Sequence, residues 1–172
     1  ERNAMVRPNM MIAGALRYSP LKDTLKKRIL DITRSELLTS RGLRSLSPRD
    51  ESYKGVTIGN HKDRERAYHM GTVFPWLIMP YTDLCVRLYR STALPYLQDM
   101  YDGFENAIFE SGIGSISEIY DGNPPHESRG CISQSTSVAA LLYLKYVIDI
   151  IRKYGDDCLS RLDTDNKKIN AL

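Results

Sequence analysis

The apolar residues of this chain follow two helical patterns that alternate along the sequence. Segments 10–18, 72–89 and 137–151 are apolar around nearly their whole circumference, whereas 19–42 and 93–111 are apolar only at every third or fourth position. A helix that is apolar all round must be covered on every side, while an amphipathic helix faces water. The alternation therefore predicts an all-α fold with inner and outer helices, as in an α/α toroid built from helical hairpins.

Turn-forming residues indicate where these helices begin, bend and end. Ser19 and Pro20 are expected as the N-cap and first residue of the second helix, and Gly42 as its left-handed C-terminal stop. Pro75 is tolerated in the first turn of the third helix, and Pro80 is predicted to kink it.

Two long connections precede inner helices and are expected at the same end of the fold. Residues 41–71 are rich in turn residues and charge and are predicted to be irregular, and the second connection begins at Gly112. Loops of this length in a compact domain tend to be functional. Helix N-termini would add partial positive charge there, so we expect the binding site at this end.

Five helices make two and a half hairpins, which cannot close a ring. We expect residues 1–154 to form the C-terminal portion of one barrel domain, and residues 155–172 to form a loosely held polar tail. Either a missing N-terminal part of the barrel or a self-complementing oligomer would complete the ring, and the sequence leaves both open.

The charge of the chain does not indicate a polyanionic partner. Its 24 Lys and Arg residues and 21 Asp and Glu residues give a net charge of +3, and the basic residues are spread out. The densest basic group falls on the predicted second helix, where a solvated outer face explains it. Because no recognised motif accompanies the charge, we expect no nucleic acid among the partners.

The cysteines and the hydropathy pattern exclude further classes. Cys85, Cys131 and Cys158 are odd in number and lack CxxC spacing, which argues against a disulfide framework and a zinc site. No segment approaches the roughly 20 apolar residues of a membrane span. We therefore expect a cytoplasmic protein that uses no metal or cofactor and does not bind membranes.

One loop concentrates chemically useful side chains directly before the last apolar helix. Residues 114–131 read GSISEIYDGNPPHESRGC and contain Glu118 between Gly114 and Gly122. A carboxylate held in such a loop can act as a general base toward water. A loop glutamate can equally be solvated or cap a helix, so the residue types alone leave both interpretations open.

Four segments, in order, resemble the glucoamylase-like C-terminal domain of glycogen debranching enzymes, the amylo-α-1,6-glucosidases. GSISEIYDG followed by PPHESRGCISQSTSVAALL resembles the general-base segment of that family. VRPNMMIAGAL (6–16) resembles a helix start of the family, LLTSRGLRSLSP (37–48) a turn, and RERAYHMGTVFPWLIMPY (64–81) a Tyr-His-containing segment. The resemblance spans residues 6 to about 150.

The resemblance implies the C-terminal part of an (α/α)6 barrel, in agreement with the helical alternation. It also implies inverting hydrolysis of α-1,6-linked glucose at branch points of glycogen or limit dextrin, an α-glucan substrate. By position, Glu118 would be the general base that activates water. The general acid of the family lies on an earlier inner helix and has no counterpart in this sequence, so we expect the chain alone to be inactive.

Further positions match motif residues and are expected to bind substrate. Trp76 could stack on a sugar ring, with core packing as the alternative, while the other side chains could hydrogen-bond glucose hydroxyls. The expected substrate-binding residues are Arg64, Tyr68, His69, Trp76, Asp121 and Arg129.

The sequence departs from the family pattern at four positions. Met70 stands where the family usually has Gln, and Phe74 where it has Trp. Glu65 stands where the family has Asp, and Ser133 where Ala is common. Two other functions stay open beside the debranching one. The first is a non-catalytic carbohydrate-binding or scaffold half-barrel that kept the loops without the acid, and the second is a related toroid hydrolase acting on trehalose-like or mannosyl substrates.

Overall fold

A computed structural model describes the backbone of residues 4–169 and the side chains of residues 4–164. This part of the chain contains eight α-helices and five short strands. The helices are α1 Asn9–Ala15, α2 Asp23–Ile32, α3 His61–His69, α4 Ile78–Tyr89, α5 Leu94–Asp102, α6 Ala107–Glu110, α7 Ser135–Tyr154 and α8 Cys158–Ile169. The strands are β1 Leu38–Thr39, β2 Gly42–Arg44, β3 Val73–Phe74, β4 Ile119–Tyr120 and β5 Ser128–Arg129.

The long helices pack around α4 and α7. The three apolar segments form α1, α4 and α7, and α4 contacts both of the others. The amphipathic α2 packs against α1 and α4, while α5 and α8 pack against α7. The expectation of two and a half hairpins was wrong, because α8 gives α7 an outer partner. Closure of such pairs into a toroid stays a prediction.

The core lies between the two layers of helices. Met11, Leu84 and Leu144 of the inner helices and Leu30 and Leu97 of the outer helices are fully buried. Each buried side chain of this size stabilises the fold by roughly 1.5–3 kcal/mol relative to an exposed one. The inner helices α4 and α7 therefore hold the fold together along their length.

The start of the second helix differs from the expectation. α2 begins at Asp23 rather than at Pro20, with Lys22 in the capping position. The hydroxyl of Ser19 instead accepts the backbone N–H of Leu21 in the preceding turn, at 3.4 Å. Ser19 and Pro20 belong to that turn and do not begin the helix.

The end of the second helix also differs. α2 continues into a π-helical turn, Thr33–Leu37, and the chain then enters β1. Gly42, expected as the helix stop, lies in β2 at φ 129°, where an added Cβ would be 2.5 Å from the Phe74 carbonyl oxygen. The glycine is therefore required by the close approach of β2 to β3, and its assignment as a helix stop was wrong.

The five strands form one antiparallel sheet in chain order, which the all-α prediction missed. Leu43 of β2 pairs with Phe74 of β3, Val73 of β3 with Tyr120 of β4, and Ile119 of β4 with Arg129. Strands of two or three residues are too short to show a period-2 pattern. The fold is thus mostly helical, and the small sheet gathers both long connections at one place.

Other predicted segments also change at their ends. Residues 41–71 are not wholly irregular, since they contain β2 and α3, whose first turn is capped by the Asn60 side chain. Residues 93–111 divide into α5 and α6, because the Arg41 guanidinium binds the Gly103 carbonyl where the helix would continue. Pro80 lies in the first turn of α4, where its missing N–H has no helical partner, so it gives no reason for a kink.

The segment after Gly155 is packed onto the fold. α8 follows a 3₁₀ turn, Gly155–Asp157, and buries Cys158 and Leu162. The Asp156 carboxylate also accepts the Ser91 hydroxyl from the turn before α5. The expectation of a loosely held tail is therefore wrong for residues 155–164, while the domain boundary at residue 154 stays a prediction.

Candidate functional site

Glu118 directly precedes β4, and the pairing of β4 with β5 fixes both its backbone and its side chain. The Glu118 N–H donates to the Cys131 carbonyl at 2.9 Å. The Cys131 N–H donates in turn to Glu118 Oε2 at 3.1 Å. The half-buried carboxylate is thus held against the backbone of Cys131, two residues after the end of β5.

Helix α3 supplies the partner of the other carboxylate oxygen. The Tyr68 hydroxyl donates to Glu118 Oε1 at 3.1 Å. The Tyr68 ring meets the Phe74 ring edge-on, with 4.8 Å between centroids. Burial, and then the neighbouring Glu118 carboxylate, raise the pKa of Tyr68 above its ordinary value. The hydroxyl therefore keeps the proton that it donates.

Three cavities surround this pair, and Tyr68 lines all of them. Cavity A, of about 330 Å³, lies between Glu118, Phe74, Trp76 and Met79. Cavity B, of about 380 Å³, lies on the α3 side of Glu118 and is lined also by Arg64 and Glu65. Cavity C, of about 410 Å³, adjoins cavity A across Trp76. All three fall within the usual size range of small-molecule sites, about 300–1,000 Å³.

Trp76, His69 and Arg64 each line one or two of these cavities. The Trp76 side chain is 40% exposed and borders cavities A and C, so it is not a core residue. His69 is exposed and borders cavity C. Arg64 borders cavity B, where its guanidinium donates to the Gly59 carbonyl at 2.7 Å. Their positions suit contact with a ligand, and their roles stay predictions.

Asp121 and Arg129 pair with each other beside the site. Asp121 is only 3% exposed, and its Oδ2 accepts Arg129 Nε at 3.1 Å and Nη2 at 2.8 Å. Its Oδ1 accepts the Thr57 N–H at 2.8 Å. The Asp121 carboxylate also raises the pKa of Arg129. Neither residue lines cavities A to C, so the geometry favours a role in fixing the Glu118 loop, and contact with substrate stays a prediction.

Sequence reasoning missed two neighbours of Glu118. Gly130 has φ 68°, and an added Cβ would lie 2.6 Å from Glu118 Oε2. The exposed Cys131 thiol lies beside the same carboxylate, which raises the pKa of Cys131. The Gly-Cys pair after Arg129 was visible in the sequence, but only strand pairing brings it to Glu118.

A second carboxylate borders the site at Glu65. Of the described residues lining cavities A to C, Glu65 is the one carboxylate besides Glu118. Its side chain is 67% exposed and lies 4.0 Å from the His61 ring nitrogen. A general acid typically needs a water-poor apolar pocket that keeps it protonated. The surroundings of Glu65 do not provide one.

Metal sites and membrane spans were sought in the same part of the chain. Among the described residues, no three His, Cys, Asp or Glu side chains come together in a way that could hold a metal ion. None of the helices within residues 4–169 has both the length and the apolar character needed to cross a bilayer.

Comparison with known families gives a match. The sequence profile described as Amylo-alpha-1,6-glucosidase matches residues 1–143, which include the sheet, Glu118 and the lining residues of cavities A to C. Comparison with curated proteins gives no match.

Proposed function

The chain belongs to the amylo-α-1,6-glucosidase family, and from this premise we propose that it supplies the general base and part of the glucose pocket of an inverting glycogen debranching glucosidase. The substrate is α-1,6-linked glucose at a branch point of glycogen or limit dextrin. The observation that carries the proposal is the position of the Glu118 carboxylate, which two donors hold at the junction of cavities A and B. The exposed indole of Trp76 lines cavity A beside it.

The hydrogen bonds of Glu118 suit a general base. Each carboxylate oxygen accepts one hydrogen bond from a described residue, Tyr68 or Cys131. An ionised carboxylate has about four acceptor positions, so room is left for a water molecule. In inverting hydrolysis that water attacks the anomeric carbon and gives a proton to the base, while a separate acid protonates the departing glycosidic oxygen.

We place the general acid outside the described residues. Glu65 is too exposed for that role, and the described apolar helices α1, α4 and α7 would be half of the six inner helices of an (α/α)6 barrel. The other half would come from an N-terminal part of the barrel or from a second copy of this chain. The chain alone is therefore expected to be inactive, and the cytoplasmic location stays a prediction.

The walls of the cavities suit a sugar. The Trp76 ring offers a flat apolar face to the ring carbons of glucose, and Gln134 offers an amide to its hydroxyl groups in cavity A. Arg64 in cavity B and His69 in cavity C lie where neighbouring hydroxyl groups or a second glucose unit would reach.

The test is Glu118→Gln in the native protein that carries this segment, assayed by glucose released from limit dextrin. Loss of a general base should lower kcat by roughly 10²–10⁴-fold. Glu127→Gln is the matched control, because Glu127 is an exposed glutamate of the same loop and lines none of the three cavities. Equal activity of Glu118→Gln and the wild type would overturn the role of Glu118.

The exposure of Glu65 favours one alternative, a non-catalytic glucan-binding protein. In that case calorimetry would detect binding of maltooligosaccharides by the native protein, Trp76→Ala would weaken it, and no sugar would be released. A screen of released sugars that includes trehalose-like and mannosyl substrates separates the remaining hydrolase alternative.

A further inference from the structure

The hydroxyl of Tyr68 has a single proton, and that proton is already engaged. It points to Glu118 Oε1 at 3.1 Å, and the raised pKa of Tyr68 keeps it on the hydroxyl. A tyrosine hydroxyl donates one hydrogen bond at a time. Tyr68 could accept a hydrogen bond from a sugar, but it cannot donate to one without releasing Glu118.

The ring of Tyr68 is fixed from two sides. Phe74 of β3 meets it edge-on at 4.8 Å, and the neighbouring His69 ring meets it edge-on at 5.2 Å. The backbone of Tyr68 lies in α3, whose last turn packs toward the sheet through the Thr72 hydroxyl bound to the Ala67 carbonyl at 2.9 Å. The position of the hydroxyl is thus set by the sheet and α3 together.

The Tyr68–Glu118 hydrogen bond lies on the boundary between cavities A and B, since both residues line both cavities. The Cys131 N–H donates to Oε2. Both oxygens turn together about the terminal bond of the side chain, and that torsion is broad, so without the donor at Oε1 a single hydrogen bond would hold the orientation of the carboxylate. Tyr68 is the described residue that restrains Oε1.

From this geometry we infer that Tyr68 is a positioning residue for the Glu118 carboxylate, and that its hydroxyl acts through Glu118 rather than by donating to the sugar. The inference rests on the proposed function of Glu118 as base.

The test compares Tyr68→Phe with the wild type in the native enzyme. The Phe ring keeps the contact with Phe74, so the fold should be retained, as circular dichroism would check. We expect kcat to fall about tenfold with little change in KM. A sugar-binding hydroxyl would instead raise KM, which would overturn the inference.

A second measurement does not depend on activity. ¹³C NMR of glutamate-labelled protein would follow the Glu118 carboxyl, identified by its loss in Glu118→Gln, and its chemical shift at a fixed pH should change in Tyr68→Phe because the hydrogen bond to Oε1 is lost. Tyr53→Phe is the matched control, because it removes a tyrosine hydroxyl that donates to Asn123 rather than to Glu118. An unchanged chemical shift in Tyr68→Phe would refute the positioning role.

The two measurements separate the failure of this inference from that of the proposed function. If Glu118→Gln stays active while the Glu118 chemical shift still changes in Tyr68→Phe, the contact is real and Glu118 is not the base. If Glu118→Gln is inactive and Tyr68→Phe changes neither the chemical shift nor kcat, Glu118 is the base and Tyr68 does not position it.

Discussion

Gly130 lies against the carboxylate of Glu118, so closely that an added Cβ would be 2.6 Å from Oε2 and 3.1 Å from the Glu118 Cβ. Its φ of 68° is also in the left-handed region. Two separate requirements therefore fall on this one glycine. One is local backbone conformation, and the other is space for a side chain that comes from 12 residues earlier in the chain.

Gly130→Ala should displace Glu118 and lower glucosidase activity at least tenfold in the native protein. Gly114→Ala is the matched control, because Gly114 has φ 77° but nothing within 4 Å of an added Cβ. Both variants should lose stability by roughly 1–2 kcal/mol from the left-handed backbone, as thermal unfolding would measure. Similar activity in the two variants would show that the contact with Glu118 is unimportant.

The Cys131 thiol should report on Glu118 without any assay of catalysis. Because the Glu118 carboxylate raises the pKa of Cys131, Glu118→Gln should lower that pKa and increase the thiolate fraction at pH 8. Alkylation of Cys131 by iodoacetamide, followed by mass spectrometry, should then be faster in Glu118→Gln than in the wild type. Glu127→Gln should leave the rate unchanged, and a slower reaction in Glu118→Gln would contradict the contact.

The other two cysteines should resist alkylation in the folded protein. Cys85 and Cys158 are buried, and burial raises the pKa of Cys85 to about 11. We expect peptide mapping after brief alkylation at pH 8 to find modified Cys131 and unmodified Cys85 and Cys158. Equal labelling of all three would mean that α4 and α8 are not packed as described.

The Asp121–Arg129 pair should contribute measurably to stability. Asp121→Ala leaves the Thr57 N–H and the Arg129 guanidinium without their partner. Breaking a fully buried pair costs about 3–5 kcal/mol, and because the Arg129 side chain is 34% exposed we expect roughly 2–3 kcal/mol by urea unfolding. Asp149→Ala breaks the pair with Lys145, in which the Asp149 side chain is 52% exposed. Its loss should lower the free energy of unfolding by less than about 1 kcal/mol.

Asp83 should make stability depend on pH. Burial raises the pKa of Asp83 above 3.8, so the folded state binds this proton more tightly than the unfolded state. The stability from this group is therefore full below 3.8 and is lost as pH rises through the folded pKa. Asp83→Asn can still accept the Tyr143 hydroxyl, so its free energy of unfolding should gain on the wild type as pH rises above about 4.

Urea unfolding between pH 3.5 and 7 would measure this difference. Asp149→Asn is the control for loss of one carboxylate at a half-exposed position. If the difference between Asp83→Asn and the wild type were constant over the range, or fell with rising pH, the assigned effect of burial would be incorrect.

Local sequence pattern was sufficient for the two buried helices α4 and α7 and for the family resemblance. Segments 72–89 and 137–151 became the buried helices α4 and α7, because an apolar circumference is a property of consecutive residues. The motif around Glu118 could be read for the same reason, since consecutive residues carry the resemblance, while the role of Glu118 stays a prediction. The family match over residues 1–143 bears this resemblance out.

Only the tertiary structure decided the sheet and the surroundings of Glu118. β3 and β4 are two residues long and meet through Val73 and Tyr120, which are far apart in the sequence, so no local period could reveal them. The same pairing brings Cys131 and Gly130 to Glu118, and the packing of α3 brings Tyr68. Contacts between distant segments depend on how the helices pack, and a residue's own neighbours in the chain carry no record of that packing.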